Sequence, residues 1–568
     1  MIERQWVYRE VDGDEQAALA QALSISQITA SVLLGRGVKT SEQARHWLTP
    51  QHHDLHDPFL LPDMRPAIDR LHRAMLAGER ICFYGDYDVD GVAATSLYLN
   101  FFGGLGGDVV SYIPHRVREG YGLNETAIRH LRRQGITVLV TSDCGTTAHR
   151  EIEAANRLGL DVIVTDHHQM DGQLPPALAV INPCRADSAY PFRGLCSAGL
   201  AYKLVRAYQS AWGGEETADP DMMLDLVALA TIADVVPLQD ENRLFVREGL
   251  ALLSRGLRCG VRALKQVAGI DRACTADMVA FRLAPRINAA GRLAHAETAV
   301  HLFTTRSEPE AKRIAEELEA LNRERQRVEE RTTEEAFSGL RDQELPAALV
   351  VASRQWHLGV VGIVAARLAE RHHRPAVVLA INEAGLAKGS ARSVPGFDLY
   401  RALEACRELL VAFGGHPAAA GLTIQESRLA EFRSRFVEVA EHRIGLHPAP
   451  PQLHVDADVH LRDVGPRLIH ELHLLNPFGA GNPEPVLTVR KATIMEVRIV
   501  GEQHLKLTVR HGQSVPFDGI GFRMASRADR SLSPAGTVDM AFVPELNRWN
   551  GLDRVQLRLK DFKVGQPV

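Results

Sequence analysis

The sequence predicts an α/β protein of several domains: a parallel sheet with helices on both faces, a long helix, a second α/β domain and a C-terminal OB-like β-barrel. Three observations lead to this fold class. Short apolar runs alternate with helical patterns from about residue 65 to 235, and again from 345 to 445. A charged helical stretch separates these two regions. Short strand patterns with Gly, Asn and Asp between them fill residues 452–568.

Composition sets the first limits on function. The chain has 568 residues, of which 45% are hydrophobic and 24% charged, which is ordinary for a globular protein of two to four domains. A formal net charge of −5 indicates that any site for a polyanion is a local basic groove or a metal site. The seven cysteines include no C-x-x-C pair, which argues against a disulfide framework and a structural zinc site and fits a reducing cytoplasm. The N-terminus lacks a signal-peptide pattern, and no apolar run reaches the ~20 residues that span a bilayer, so we expect a cytoplasmic protein without a membrane segment.

The region from about residue 65 to 235 follows a small N-terminal helical cap, in which short helices are expected at 24–34 and 41–48. Its apolar β-type runs are separated by helices, which is typical of a parallel sheet covered on both faces. We expect strands at 81–84, 108–113, 136–141, 161–165 and 178–181, with helices starting at Gly91 and at 124–134 and 148–158.

Three carboxylates follow the first of these strands at alternate positions: Asp86, Asp88 and Asp90. Close carboxylates repel one another and stay ionised only when they are solvated or neutralised by a cation. Hard divalent cations prefer such oxygen ligands. A solvated acidic turn is the simpler interpretation, so the case for a metal depends on the residues at the ends of the other strands.

Acids or imidazoles also end the later elements. Asp143 follows the strand at 136–141, Asp166-His167-His168 follows the strand at 161–165, and Asp234 closes an apolar helix. Each alone has a structural explanation: an Asx turn for Asp143, a loop pair for the histidines, a solvated turn for Asp234. Because parallel strands present their carboxyl ends at one sheet edge, their coincidence predicts one site.

These residues carry a resemblance to a known family. The segments Asp86–Gly91, Ser142–Gly145 and Asp166–His168 resemble the motifs of the DHH phosphoesterase superfamily. The likeness extends over nearly the whole chain and includes the segments 115–122, 284–292, 414–416 and 477–485. Within the superfamily the match is to enzymes that degrade single-stranded DNA from its 5′ end, and no metal-ligand position departs from the pattern.

The expected chemistry is phosphodiester hydrolysis by two metal ions, for which a mixed carboxylate and imidazole set suits Mn²⁺, with Mg²⁺ as the alternative. We expect the ligands to be Asp88, Asp90, Asp143, His167 and Asp234, with Asp143 as the best candidate for a bridge. Asp86 and Asp166 are expected to orient ligands, with Asp86 as a further candidate ligand. His168 would lie beside the scissile phosphate as a ligand partner or a hydrogen-bond donor.

The second α/β region is expected to contribute a phosphate site. A long helix over residues 305–343, with a sparse apolar stripe, would connect it to the first domain and set the width of a cleft. Small residues beside Arg392 and His416 allow backbone N–H groups to approach a phosphate, although a plain tight turn is the favoured explanation of the Gly-Gly-His segment taken alone. The resemblance implies a phosphate-binding set of Arg116, Arg286, Asn288, Ser390, Arg392, Gly415 and His416.

The C-terminal region is expected to form the barrel from strands at 486–489, 492–500, 505–509, 538–543 and 555–559. Trp549 lies in a predicted turn at 547–551, where it would stack on a base or pack within the turn. The expected domains are a helical cap (1–62), a DHH catalytic domain (63–304), a connecting helix (305–344), a DHH-associated domain (345–449) and an OB-fold nucleic-acid-binding domain (450–568).

The resemblance implies a metal-dependent 5′→3′ exonuclease that releases 5′-mononucleotides from single-stranded DNA in recombination, mismatch repair and other DNA repair. It also implies two partners, a single-stranded-DNA-binding protein and a DNA helicase, and a monomer is expected. Two alternatives remain. Other DHH enzymes act on short oligoribonucleotides, cyclic dinucleotides or pyrophosphate, but they need only the two catalytic domains. A non-catalytic single-strand-binding scaffold would be expected to have lost carboxylates that are present here.

Overall fold

A computed structural model describes residues 4–116, 118–170, 172–213, 219–340, 344–445, 449–528, 532–549 and 552–564. The chain divides into two compact units. The first comprises Met1–Asp54, Ala449–Phe478 and Asn482–Val568, and the second comprises Leu55–Pro448 together with Gly479–Gly481.

The N-terminal part of the first unit is mostly helical, as predicted, but it begins with a strand that was not expected from the sequence. Its elements are β1 (Gln5–Tyr8), α1 (Gly13–Leu23), α2 (Gln27–Leu34) and α3 (Ser41–Leu48). Side-chain caps start the helices: Ser26 Oγ accepts from Thr29 N at 3.1 Å, and Thr40 forms a reciprocal capping box with Gln43. In the described residues no single helix meets the length and hydropathy of a membrane span; α1 and α2 meet them only together, across a bend of 115°.

The second unit opens with the predicted parallel sheet, whose strand order is β3-β2-β4-β5-β6. Its elements are α4 (Met64–Ala77), β2 (Arg80–Tyr84), α5 (Val89–Gly104), β3 (Val109–Tyr112), α6 (Glu125–Arg133), β4 (Ile136–Ser142), α7 (His149–Arg157), β5 (Asp161–Thr165) and β6 (Ala179–Ile181). Both faces of the strands are buried, one against a core that includes α5 and the other against α6 and α7. Tyr84 pairs with Thr141 and Ser142 pairs with Thr165, so the carboxyl ends of β2, β4 and β5 meet at one edge.

Helices complete this first lobe of the second unit and lead out of it. They are α8 (Ser197–Trp212), α9 (Leu224–Ala233), α10 (Asp240–Arg255), α11 (Cys259–Val267), α12 (Ala276–Met278), a π-helix (Val279–Leu283), α13 (Ala284–Leu293), α14 (Glu297–Thr304) and the long α15 (Glu308–Ser338). Helix α9 is mostly apolar and almost wholly buried, whereas α15 buries one stripe that includes Ile314 and Leu318.

The second lobe of this unit is a mixed sheet of order β10-β11-β9-β8-β7, in which only β7 and β8 pair in parallel. Its elements are β7 (Leu349–Ser353), α16 (Val361–His372), β8 (Ala376–Ile381), β9 (Leu386–Arg392), α17 (Leu399–Glu404), β10 (Ala412–Gly415), β11 (Ala419–Gln425) and α18 (Leu429–Ile444). The Gly-Gly-His segment therefore ends an edge strand, because β10 pairs with β11 through Gly415 opposite Ala420.

The C-terminal part of the first unit is the predicted barrel. The elements are β12 (Gln452–Val455), which pairs with β1, then β13 (Ala457–Asp458), α19 (Pro466–His473), β14 (Leu487–Val500), β15 (His504–Arg510), β16 (Phe517–Gly521), β17 (Thr537–Trp549) and β18 (Leu552–Val564). Pairing of β14 with both β15 and β17 closes five strands into a barrel. The two strands expected at 486–489 and 492–500 are one strand with an irregularity between Val489 and Ala492. The side chain of Trp549 and residues 550–551 of the predicted turn lie outside the described part of the chain.

Candidate active site

The turn after β2 brings Asp88 and Asp90 to the sheet edge. Asp88 is the N-cap of α5, where its Oδ1 accepts from the backbone N of Asp90 at 2.9 Å and of Gly91 at 3.3 Å. A Cβ atom on Gly91 would lie 2.4 Å from the backbone N of Asp86, so this close turn requires glycine. The backbone of this turn therefore fixes the carboxylate of Asp88.

Asp90 is 1% exposed and is held by the start of another helix. The backbone N–H groups of Ser197 and Ala198, at the start of α8, donate to its two carboxylate oxygens at 2.7 and 2.8 Å. Unpaired N–H groups and the helix dipole both favour a negative charge at this position. This contact could not be predicted from the sequence, because the small residues that begin α8 form no motif that marks an anion site.

Asp143 lies at the end of β4 in a left-handed backbone conformation, with φ of +67°. Its side chain accepts from Ser197 Oγ at 3.3 Å, and its carbonyl accepts from the Tyr121 hydroxyl at 2.9 Å. The residue is 3% exposed. Asp tolerates this conformation better than most residues do, and the conformation turns the carboxylate back over the sheet edge.

Two histidines that differ in their tendency to bind a proton follow the end of β5. His167 Nε2 lies 3.2 Å from Asp143 Oδ1, 3.6 Å from Asp234 Oδ2 and 3.8 Å from Asp90 Oδ2. Burial lowers the pKa of His167, which favours the neutral imidazole that binds metals. In contrast, His168 Nδ1 lies 2.7 Å from Asp166 Oδ1. Burial opposes the charge on His168, but this hydrogen bond raises its pKa to about 9.

The carboxylate of Asp166 accepts several hydrogen bonds that hold this turn together. It accepts from the backbone N of Thr146 at 3.0 Å and of His167 at 2.8 Å, as well as from His168. Burial would raise its pKa, but these hydrogen bonds and the charge of His168 hold the pKa at about 2. These hydrogen bonds hold the turn, and the role of Asp166 in orienting metal ligands stays a prediction.

Asp234 reaches the same edge from the end of α9. Its carboxylate faces His167, and Val235, the next residue, has φ of +58°. A β-branched residue rarely adopts this conformation, so the turn after Asp234 is strained. The structure thus brings together the residues predicted from four separate segments of the chain.

We call Asp86, Asp88, Asp90, Asp143 and Asp234 the acidic cluster. Burial, followed by repulsion from Asp88, raises the pKa of Asp86 and of Asp143 well above the usual range. Burial and the charges of Asp90 and Asp88 raise the pKa of Asp234 to about 8. Moreover, Asp86 Oδ1 is buried without a hydrogen-bond partner among the described residues. So many buried carboxylates, one of them unsatisfied, fit a divalent cation as the missing partner.

The geometry of the donor atoms agrees with that requirement. Three groups of described residues could each hold an ion, because the ligand atoms within each group all lie within 4.8 Å of one another. The groups are Asp143, His167 and His168; Asp90, His167 and Asp234; and Asp86, Asp88 and Asp143. Asp143 and His167 each belong to two groups, and the two oxygens of the Asp143 carboxylate could bridge two ions. Carboxylate oxygens with imidazole nitrogen suit Mn²⁺ or Mg²⁺.

A second concentration of charge, which we call the basic cluster, consists of Arg116, Arg292 and Arg392. Burial, and then repulsion from Arg116 and other arginines including Arg392, lowers the pKa of Arg292 to about 10. Burial and Arg116 lower that of Arg392. Arg116 lies over the ring of Tyr87, 4.7 Å from its centroid. Arg292 was not among the phosphate-binding residues predicted from the sequence, although it belongs to the segment 284–292 that carries part of the family resemblance.

The remaining predicted phosphate-binding residues have different surroundings. Ser390 and Arg392, on β9, both lie beside Gly362 in the first turn of α16, where a Cβ atom would be 3.3 Å from Ser390 Oγ and 3.4 Å from Arg392 Nη2. Arg286 forms an ion pair with Glu319 of α15 at 2.6 Å. Asn288 is half-buried, Gly415 has φ of +140°, and His416 is exposed. Ser390 and Arg392 thus lie beside the N-terminus of α16, a position that suits phosphate.

The fold and the site define a phosphoesterase of the DHH class. Models of known families match three parts of the chain: the DHH family N-terminal domain at residues 80–231, the DHHA1 domain at 346–442 and the RecJ OB domain at 455–561. The single-stranded-DNA-specific exonuclease RecJ of Bacillus subtilis is 40% identical over 99% of this chain and 71% of its own length.

Two solved structures show the same similarity. RecJ from Thermus thermophilus in complex with Mn²⁺ has a TM-score of 0.86 at 30% identity, over 99% of this chain and 80% of that one. Its complex with Mg²⁺ has a TM-score of 0.80 at 29% identity, over 99% and 79% of the two chains. The chain belongs to the RecJ family.

Proposed function

We propose that this protein is a metal-dependent exonuclease specific for single-stranded DNA, which it degrades from the 5′ end to 5′-mononucleotides. The observation that carries the proposal is the acidic cluster with His167, because four chain segments deliver metal-binding groups to one sheet edge. The family models and the named relatives support the reaction and the substrate. A closed OB barrel, a common scaffold for binding single strands, suits a polymer rather than a small substrate.

Asp88, Asp90, Asp143, His167 and Asp234 would hold two Mn²⁺ or Mg²⁺ ions, with Asp143 as the bridge and Asp86 as a further candidate ligand. The ions would supply an activated water and neutralise charge on the phosphate. The protein's own contribution is to fix these groups in advance through the N-cap at Asp88, the helix start at Asp90 and the left-handed turn at Asp143.

His168 would act on the phosphate itself. Its Nδ1 is committed to Asp166, and its raised pKa keeps the ring protonated at neutral pH. The other ring nitrogen therefore carries a proton that it can donate to a phosphate oxygen as negative charge develops there. Asp166, buried and ionised, keeps the ring oriented.

The basic cluster would hold the phosphate of the 5′ end. Guanidinium groups grip phosphate oxygens in a bidentate manner, and the first turn of α16 adds a helix N-terminus beside Ser390 and Arg392. Asn288, Gly415, His416 and Arg286 complete the proposed set. If this pocket holds the terminal phosphate about one nucleotide from the metal site, each cut releases a mononucleotide.

The proposed cellular setting follows from family membership. We infer roles in recombination, mismatch repair and other DNA repair, with a single-stranded-DNA-binding protein and a helicase as partners, in the cytoplasm and as a monomer. The proposed domains are a helical cap (1–62), a catalytic domain (63–304), a connecting helix (305–344), a phosphate-binding domain (345–449) and a DNA-binding barrel (450–568).

The test is to incubate the protein with Mn²⁺ and single-stranded DNA labelled at either end, beside a duplex and an Asp143→Ala control. Mononucleotides released from the 5′ end of the single strand alone, and lost in the control, are expected. Degradation of only short oligonucleotides or cyclic dinucleotides would assign the protein to the small-substrate DHH enzymes. Binding without cleavage would contradict a catalytic metal site.

A further inference from the structure

Asn242, in the first turn of α10, joins two turns that are distant in sequence. The residue is fully buried. Its Nδ2 donates to the carbonyl of Gly194 at 2.6 Å and to the carbonyl of Pro237 at 2.9 Å. Because both neighbours are hydrogen-bond acceptors, the nitrogen of the carboxamide has to face them. An asparagine satisfies both carbonyls, and an aspartate of the same shape would satisfy neither.

The Gly194 turn leads directly into the start of α8. Three residues after Gly194, Ser197 begins the helix, and the N–H groups of Ser197 and Ala198 hold the carboxylate of Asp90. The Ser197 hydroxyl also donates to Asp143. The Gly194 turn is therefore three residues away in the chain from the groups that hold two carboxylates of the acidic cluster.

The Pro237 turn leads back to Asp234. It begins at the strained Val235, and such conformations persist only where the surrounding structure holds them. The turn is also held from its other side, since the backbone N of Leu238 donates to the carbonyl of Ala480 at 2.8 Å. Asn242 thus supplies the link between the turn of Asp234 and the turn that precedes α8.

The start of α10 is a firm base for this link. Glu241, beside Asn242, is 2% exposed and pairs with the ammonium group of Lys203 and the hydroxyl of Tyr190. Its carboxylate also accepts from the backbone N of His56 at 2.8 Å. Because these contacts fix the start of α10, the side chain of Asn242 can hold both turns in place at a low cost in conformational entropy.

We propose that Asn242 is a positioning residue of the metal site: its carboxamide sets the spacing between Asp234 and the Asp90–Asp143 side of the acidic cluster, and thereby the affinity for divalent ions. The inference rests on the proposed function, because it takes the acidic cluster to be the metal site. It adds a residue outside the ligand set that acts through two turns.

The experiment compares Asn242→Asp with a matched control, Asn100→Asp, in the full-length protein. Asn100 Nδ2 also bridges two carbonyls, those of Ser96 at 2.7 Å and Phe303 at 3.1 Å, but at the far end of α5 from Asp88. Mn²⁺ binding is measured from the signal of free Mn²⁺ in electron paramagnetic resonance. The melting temperature in EDTA and the exonuclease rate against Mn²⁺ concentration are measured beside it.

We expect Asn242→Asp to weaken Mn²⁺ binding by about 10- to 100-fold, the range for groups that orient metal ligands, with much of the rate recovered at high Mn²⁺. Asn100→Asp should keep the wild-type Mn²⁺ affinity even where its melting temperature falls equally. If Asn242→Asp does not fold, Asn242→Ser, which retains one donor, should show a smaller loss of affinity.

Unchanged Mn²⁺ affinity in a folded Asn242 variant would overturn the positioning role, as would an equal loss in the Asn100 control. A wild-type protein that binds no Mn²⁺ and cuts no DNA would instead overturn the proposed function, and the inference with it. The wild-type measurement therefore separates the two failures.

Discussion

The acidic and basic clusters both crowd like charges together, but they respond to crowding in different ways. The carboxylates lie on short side chains fixed by backbone turns, and burial and repulsion raise the pKa of Asp143 and Asp234. The guanidinium groups extend on long side chains from a loop, α13 and β9, and the pKa of Arg292 falls only to about 10. A carboxylate can thus relieve repulsion by taking up a proton near neutral pH, whereas an arginine stays charged. Cations would therefore compete with protons at the acidic cluster, whereas a phosphate at the basic cluster would meet no such competition.

The strongest test of the acidic side is Asp143→Asn, which keeps the shape of the side chain and removes its charge. We expect the exonuclease rate to fall by at least about 10³-fold, since a proposed bridging ligand acts on both ions. Mn²⁺ binding by calorimetry should weaken as well. A variant that retains wild-type rate and affinity would exclude Asp143 from the site.

On the basic side, Arg392→Ala should reduce cleavage of 5′-phosphorylated single strands by roughly 10- to 100-fold, the scale of a lost charge-assisted hydrogen bond. Metal binding should be nearly unchanged. The measurement compares kcat/KM on 5′-phosphate and 5′-hydroxyl substrates. An equal loss on both substrates would contradict a role for Arg392 in holding the terminal phosphate.

Arg286→Ala sharpens the comparison within the basic residues. Because Glu319 already neutralises the guanidinium of Arg286, we expect a smaller effect on 5′-phosphate cleavage than for Arg392→Ala, a few-fold at most. The same pair of substrates measures it. A loss as large as that of Arg392→Ala would indicate that Arg286 leaves Glu319 to bind phosphate.

The smallest expected effect is the pH dependence of the metal-free protein. The pKa of Asp234 is about 8 in the folded chain and about 3.9 in the unfolded chain, so the folded state binds more protons between these values. Its contribution to stability is therefore present at low pH and is lost as pH rises through 8. Melting temperatures in EDTA should fall by a few degrees more for wild type than for Asp234→Asn between pH 5 and 8.5. If the melting temperatures of wild type and Asp234→Asn fell by the same amount over this pH range, the raised pKa of Asp234 would be contradicted.

Much of the fold could be predicted because it depends on local patterns. The strand at Asp161–Thr165 was predicted with its observed limits, and the ends of β4 and α9 correctly brought Asp143 and Asp234 to the site. The rule that parallel strands present their carboxyl ends together was sufficient for Asp143. Asp234 was predicted instead because an unpaired acid at the end of an apolar helix is costly to bury. The barrel was also predicted from its strands, except that β16 was not expected.

The contacts that no pattern predicted are those made between distant segments. The N-terminus of α8 holds Asp90 through backbone N–H groups, which any residue other than proline supplies. Arg292 joins the basic cluster and donates to the carbonyl of Gly359, a contact between the two lobes of the second unit. Such roles depend on which elements meet in space, and residue type alone does not reveal them.

The scattering of the acidic cluster along the chain has a consequence for biogenesis. Asp88 follows the first strand of the parallel sheet along the chain and Asp234 comes after its last strand, so a nascent chain cannot assemble the ligand set until α9 has been synthesised and packed. A cation that binds only the finished arrangement adds its binding energy to the stability of the whole lobe. The ability to cut DNA would therefore arise late, as the last property that a maturing chain acquires.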